Sequence, residues 1–518
     1  MDFNYTTGVD SNISRLTSIS DASGTLEAYS YQGDGTVLER NHTQPGLNLT
    51  TTLDDFGRII DFNWTNSGGS VSHYAYGYDP AGNRLYKEDL VNTGLSELYT
   101  YDGLSQLATS ARGTLNSSKN AITGTPDFEQ SWNHDALGNW DDVTTNGIID
   151  DRDSNAQNEY TDVDGNIPAY DANGNMTTDQ TGKHFVWDAW NRLVEVQDSS
   201  STTLRTHTYD SLNRRVTSDD GTTVTTLYYS TGWQVLQEQV AGDVTKQYVY
   251  SPFYPDALIL RDRDTDADGV LDERLWVIQD NNFNVLALVD ATGTVVERYK
   301  YTAFGVATVM DASYTVQSTS AYAWVHLHQG LRFEEASGLY DNRFRWYSAE
   351  LGQFVSNDPI GFDAGDVNVR RYVGNGAVGA VDPLGLVDWG PIGGVYRNDG
   401  DQDEWVLIKN GIWEKVPSGK STSVKEDCDG ATSNGRFYKI RNTQTLMGSR
   451  KGPPYVFGGV QISPLQFEKI EGGWTPSDGN PRNDPAVITG GDAGTIFPPG
   501  LYKWADGTCS KDGKKIAP

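Results

Sequence analysis

Tyr78-Asp79-Pro80-Ala81-Gly82-Asn83-Arg84-Leu85 returns along the chain, first as Tyr101-Asp102-Gly103-Leu104-Ser105-Gln106-Leu107 and then as Tyr170-Asp171-Ala172-Asn173-Gly174-Asn175-Met176. Trp187-Asp188-Ala189-Trp190-Asn191-Arg192-Leu193 and Tyr209-Asp210-Ser211-Leu212-Asn213-Arg214-Arg215-Val216 carry the same pattern, and degenerate copies begin at Leu53 and Asn133. An aromatic residue ends a strand, the Asp bonds its own backbone in a turn, and Gly or Asn takes the left-handed position. The apolar residue that follows starts the return strand. Each unit is therefore a β-hairpin, which buries no face alone and must stack on its neighbours. No stretch keeps a helical apolar period over three or more turns. Residues 1–320 are expected to form continuous antiparallel sheet.

Composition supports an all-β reading. Among 518 residues 55 are Gly and 11% are aromatic, a pairing that favours strands joined by tight turns. So many aromatics also argue against intrinsic disorder. A net charge of −30 makes general nucleic-acid binding by the acidic part unfavourable. No apolar run is long enough for a transmembrane helix. The opening Met1-Asp-Phe-Asn-Tyr5 lacks the marks of a signal peptide. It reads as mid-repeat, so the natural chain is expected to extend upstream.

The charge is not evenly spread. From Val387 onward acidic and basic residues balance at 16 each, so the whole −30 belongs to residues 1–386. All seven His lie before that point, and both Cys, 428 and 509, lie after it. A domain boundary is placed near Leu386, giving a repeat shell over 1–320, a core segment over 321–386 and a separate domain over 387–518.

The core segment holds two Asp-Pro-x-Gly motifs, at Asp358 and at Asp382. Pro fixes φ after each Asp and Gly permits the sharp turn. Two carboxylates brought close share one proton, because both cannot ionise at short range. One then serves as base toward a water and the other as acid toward an amide. Asp-Pro turns are also ordinary structural punctuation, and an uncut, folded plug is the competing reading.

These motifs, with Gly330-Leu-Arg-Phe-Glu-Glu-Ala-Ser-Gly-Leu-Tyr-Asp-Asn-Arg-Phe-Arg-Trp-Tyr347 and Asp382-Pro-Leu-Gly-Leu386, resemble the RHS/YD-repeat family, relatives of Tc-toxin C components and teneurin shells. The resemblance covers about 1–386. It implies a spiralling β-cage, complete or open, around a C-terminal cargo. It also implies an aspartic self-cleavage site with Asp358 and Asp382 as the dyad, Arg345 in support, and the bond between Leu386 and Val387 as the one cut. The departures are Thr302-Ala303 and Ser348-Ala349 where Asp-Pro is usual, Gln353 for Arg, and Phe362 for Leu; none touches the dyad. An immunity protein, a secretion machinery, and a secreted or cell-surface location follow from the same resemblance.

Asp262-Arg-Asp-Thr-Asp-Ala-Asp-Gly-Val-Leu-Asp-Glu273 alternates carboxylates before a Gly, a pattern suited to a hard cation. It resembles short calcium loops, with Asp264, Asp266, Asp268, the Val270 backbone and Asp272 as ligands. A solvated acidic hairpin tip is the alternative.

In the tail, Glu404–Val416 reads as a hairpin turning at Asn410-Gly411, with further strands near 436–441, 455–457 and 460–462. A helical turn is expected at 464–469. The absence of His there excludes His-dependent nucleases and hydrolases as self-contained options. Cys428 and Cys509 either pair or remain free thiols. A resemblance to ADP-ribosyltransferases, with NAD as cosubstrate, would assign Arg397, Ser421 and Glu468 or Glu471, although the E-x-E or Q-x-E of those enzymes is missing. The other reading is a cargo or interaction module without assigned activity. For the whole chain, two functions compete: a shell that encloses and releases an effector, and a structural or adhesive surface protein.

Overall fold

The computed structural model describes residues 1–5, 15–33, 36–364 and 366–386, and beyond them the backbone of short strands between Arg397 and Lys515. It divides into two compact units, Met1–Pro359 with Val367–Asp388, and Ile360–Asp366 with Trp389–Pro518. Half the chain is strand and 3% helix, and every large element among the described residues is a strand.

The first unit contains two sheets of 14 strands in strict sequence order, from Asp2–Asn4 to Tyr160–Val163 and from Ala169–Tyr170 to Ala307–Asp311. Neighbouring strands pair antiparallel, and neither sheet closes on itself. The expectation of one continuous sheet is corrected at residues 164–168. There Val163 bridges back to Asn166, and Pro168 has no N–H to offer a ladder.

The repeat turn has a consistent chemistry. In the unit at Asp210, Oδ1 accepts the N–H groups of Leu212 and Arg214 at 2.9 Å each, while Oδ2 takes the Arg214 guanidinium. Asp102, Asp171 and Asp188 repeat the two amide bonds, while their Oδ2 atoms take the Gln106 amide, the Asn175 amide and the Arg192 guanidinium. The fourth position is left-handed throughout, with Gly82, Gly174, Asn191 and Asn213 as expected and Ser105 as an exception to Gly or Asn. The aromatic partner has its own task. The hydroxyls of Tyr78, Tyr101 and Tyr209 donate to the carbonyls of Ile59, Arg84 and Leu193 at 2.7 to 2.8 Å. Each ties its hairpin to the preceding one, which Phe could not do.

Late in the second sheet the strands are buried on both faces, and their sequences lose polar alternation. In Glu273–Gln279, Leu275 and Val277 join one hydrophobic cluster while Trp276 and Ile278 join a second. The first cluster continues into a four-stranded sheet of Arg332–Glu334, Leu339–Asn342, Arg345–Ser348 and Gln353–Phe354. A buried ionic cluster fastens this sheet to the repeats. Glu238 lies 2.6 Å from Arg332 and 3.3 Å from Lys246, and accepts the Tyr248 hydroxyl at 2.7 Å.

In the second unit, Glu404–Ile408 pairs with Ile412–Val416 as expected, and also with Cys428–Ser433, which pairs with Arg436–Lys439. Tyr455–Phe457 pairs with Val460–Ile462. The expected Asn410-Gly411 turn and the helical turn at 464–469 lie outside the described residues. No helix among the described residues is long and apolar enough to cross a membrane.

Candidate functional site

Arg345 begins the third strand of the small sheet, and its side chain is almost wholly buried. The guanidinium lies over the Phe354 ring, 3.5 Å from its centroid. That apolar lid screens it from water and strengthens every charge interaction it makes. Nη2 reaches Asp358 Oδ2 at 3.0 Å and Asp382 Oδ2 at 3.5 Å. Both carboxylates therefore face one cation, with oxygens no farther apart than those two distances combined. The remaining Arg345 nitrogens donate to backbone, Nη1 to the Val369 carbonyl at 3.1 Å and Nε to the Gly385 carbonyl.

Each Asp is held by local chemistry. Asp358 follows the strand Gln353–Phe354, and its N–H donates to the Val369 carbonyl at 3.0 Å. Asp382 is fully buried. Its Oδ1 accepts the N–H groups of Leu384, Gly385 and Leu386 at 3.3, 2.9 and 3.1 Å. The segment upstream of the expected cut is thus wrapped around the carboxylate expected to act on it. Burial pushes the Asp382 carboxyl above its ordinary value, against the pull of Arg345 and of those three N–H groups. A proton is therefore retained there more readily than on a surface aspartate, as a shared-proton dyad requires.

Gly385 is sterically obligatory. Its φ is +70°, and a Cβ would stand 2.5 Å from the Asn342 carbonyl oxygen and 3.2 Å from the Arg345 nitrogen. The Gly of the motif is thus explained by the close approach of two backbone segments as well as by turn geometry.

Of the residues singled out from sequence, Asp358, Asp382, Arg345 and Leu386 come together within the first unit. Val387, the far side of the expected cut, lies outside the described residues. So do Glu468 and Glu471. Arg397 and Ser421 are opposite one another in paired strands, with side chains outside the description, as are those of Cys428 and Cys509. In the acidic loop, ligand oxygens of Asp264, Asp266 and Asp268 lie within 4.8 Å of one another. Asp272 turns instead to Thr265, taking its N–H at 3.0 Å and its hydroxyl at 2.7 Å. The Val270 N–H donates to Asp268 Oδ1 at 2.8 Å.

Sequence reasoning did not single out Asn342, Arg343 or Asp256. Asn342 Nδ2 donates to the Asp382 carbonyl at 2.8 Å. Arg343 donates to the Pro383 carbonyl and forms a two-toothed pair with Asp256. The adjacency of Asn342 and Arg343 to Arg345 was an available signal. Asp256, 87 residues from Arg343, offered none.

No protein-family model matches the chain. A double-stranded DNA deaminase toxin A of Burkholderia cenocepacia is 27% identical over 409 residues, which cover 69% of this chain and 26% of that protein. The tRNA nuclease WapA of Bacillus subtilis is 29% identical over 272 residues, 50% of this chain and 11% of that protein. The chain thus spans about a quarter or less of these relatives. In fold, it resembles a solved Photorhabdus luminescens Tc holotoxin pore that carries a substituted TccC3, with TM-score 0.59 and 17% identity over 72% of this chain and 20% of that one. Repeat turns, core signature, sheet architecture and relatives agree, and the chain has the fold of the Tc-toxin RHS shells and is consistent with an RHS/YD-repeat protein.

Proposed function

We propose that residues 1–386 are an RHS-type shell that cuts its own chain after Leu386 and so frees residues 387–518 as a toxin-like effector. The observation that carries this reading is Arg345, buried and shared by Asp358 and Asp382, with Asp382 gripping the backbone as far as Leu386. In the reaction, water adds to the Leu386 carbonyl carbon while one carboxylate accepts its proton. The other carboxyl, which carries the proton the pair shares, protonates the departing nitrogen as the C–N bond breaks, leaving a carboxyl on Leu386 and an amine on Val387. Arg345 keeps at least one carboxylate ionised despite burial and holds both in place.

The relatives' names, a deaminase toxin and a tRNA nuclease, support an effector as the cargo. Its activity is left unassigned, and an NAD-dependent transferase at Arg397, Ser421 and Glu468 or Glu471 rests on sequence alone. An immunity protein, a secretion machinery and an extracellular destination belong to the same proposal. The test is expression of the wild type beside Asp358→Asn, read on a denaturing gel. Two fragments from the wild type and one band from the variant are expected. Equal full-length bands from both would refute self-cleavage and favour a surface protein whose shell is its function.

The trio Asp264, Asp266 and Asp268 is proposed to seat calcium at the hairpin tip. Calorimetric titration should give binding heat that Asp266→Ala abolishes; no heat from the wild type removes calcium from the reading.

A further inference from the structure

Four consecutive carbonyls before the expected cut each receive a donor from four consecutive residues of the small sheet. Asn342 Nδ2 serves Asp382 O, Arg343 Nη1 serves Pro383 O, the Phe344 N–H serves Leu384 O at 3.2 Å, and Arg345 Nε serves Gly385 O. The offset is 40 residues in the three side-chain bonds, and Phe344 to Leu384 keeps it. The two segments thus run parallel in fixed register, with three of the four teeth supplied by side chains. An ordinary parallel ladder would use backbone N–H groups on both strands. Here the donors all come from one side, and the other side keeps its own N–H groups of residues 384–386 for Asp382 Oδ1.

Arg343 is the tooth with the most elaborate bracing. Its guanidinium takes both oxygens of Asp256 in fork geometry, the arrangement that fixes an arginine in orientation as well as position. Both partners are buried, with side chains 9% and 7% exposed. Arg343 itself has φ of +58°, a conformation an L-residue holds only when its surroundings impose it. Such a pair costs desolvation and is weak evidence of stability alone. Its placement against Pro383 gives it a task.

We infer that residues 342–345 are a template that holds 382–385 in the geometry for cutting, and that Arg343, braced by Asp256, is a positioning residue for the reaction. This rests on the proposed self-cleavage. None of the four bonds involves a residue after Leu386. The cut would leave all four intact, so the new end stays seated over the dyad and each molecule acts once, on itself.

The experiment follows the full chain in cell-free synthesis, timing the appearance of two fragments. Arg343→Ala should slow cutting by about a hundredfold, the scale expected when a reacting group is misplaced by about 1 Å. Added methylguanidinium should restore a measurable part of the rate in Arg343→Ala and none in Asp358→Asn. Arg343→Lys, which keeps the charge but loses the fork, should fall between. Cutting of Arg343→Ala at the wild-type rate overturns the assignment, as does slowing that methylguanidinium cannot reverse while Arg343→Lys cuts no faster.

Hydrogen exchange provides a reading that does not depend on cutting. In the Asp358→Asn chain, adding Arg343→Ala should speed exchange at the amides of Leu384, Gly385 and Leu386 by about tenfold or more. Unchanged exchange there refutes the template. If the wild type is never cut, the self-cleavage reading fails and the positioning role with it. Faster exchange in that case still supports the template as a clamp.

Discussion

Gly385→Ala tests the site where two backbones meet most closely. A Cβ at this position would lie 2.5 Å from the Asn342 carbonyl oxygen, whereas ordinary contacts begin at 3.4 Å. Relief needs a displacement of about 0.9 Å between the two segments, and misplacement on that scale costs a reaction roughly a hundredfold. The φ of +70° adds about 1–2 kcal/mol for a residue with a side chain. Cutting of Gly385→Ala should therefore slow by about two orders of magnitude, with a stability loss of at least about 1–2 kcal/mol from the backbone strain. Gly379→Ala is the control, since nothing lies within 4 Å of its Cβ position and its φ imposes no strain. Timed gel analysis of freshly synthesised chains gives both rates, and thermal unfolding shows whether either variant is misfolded. Equal cutting by Gly385→Ala and Gly379→Ala, both folded, would refute the argument that this contact positions the bond.

Other outcomes follow from the same structure. Burial holds the Asp382 carboxyl above its unfolded value of 3.8, so its proton is more firmly bound in the folded chain. Its contribution to stability is full below that pH and is lost as pH rises through the folded value. Cutting should fade over the same rise as the dyad loses its shared proton, and a rate that climbs steadily into alkaline pH would contradict this. Glu238→Gln should destabilise the first unit by about 3–5 kcal/mol in urea melts, because Arg332 and Lys246 are left buried without their anion. The Glu238 carboxyl is pushed up by burial but held well below its ordinary value by Arg332 and Lys246. Its stabilisation should persist at neutral pH and disappear only in strong acid. Tyr209→Phe removes the 2.7 Å bond to the Leu193 carbonyl and should cost about 1 kcal/mol, with unchanged unfolding midpoints counting against the inter-hairpin tie.

What could be read in the sequence was what the chain does locally. Asp210 bonds amides two and four residues on, so the turn is written in a few adjacent letters. The meeting of Asp358 and Asp382 at Arg345 was legible for the same reason, since each Asp sits in an Asp-Pro-x-Gly elbow. The Tyr hydroxyl ties were hidden, because their acceptors belong to the preceding unit at spacings of 16 to 19 residues. The break in the sheet at 164–168 was likewise missed, although Pro168 marks it. Asp256 was invisible: only folding brings it to Arg343. In the acidic loop, even spacing suggested that Asp272 would join Asp264, Asp266 and Asp268, but the hydroxyl of Thr265 holds it aside.

Comparison of Asp210 with Asp382 shows how little separates an aspartate that gives up its proton readily from one that holds it. Both accept backbone N–H groups two and four residues ahead, and both have an arginine within reach of Oδ2. Those shared partners favour the charged form in each case. For Asp210, whose side chain is 25% exposed, burial's upward push is outweighed by the Arg214 N–H and guanidinium, and the carboxyl lies below its ordinary value. For Asp382, with a side chain at 0%, burial wins against three N–H groups and Arg345, and the carboxyl lies above it. The turn is common to both, and fuller desolvation, with an arginine that is farther away and shared with Asp358, reverses the sign. A repeat protein already rich in such turns therefore needs no new backbone to acquire a proton-holding aspartate. It needs one turn carried into the core, and the small sheet, with Phe354 lying against Arg345, is what carries it there.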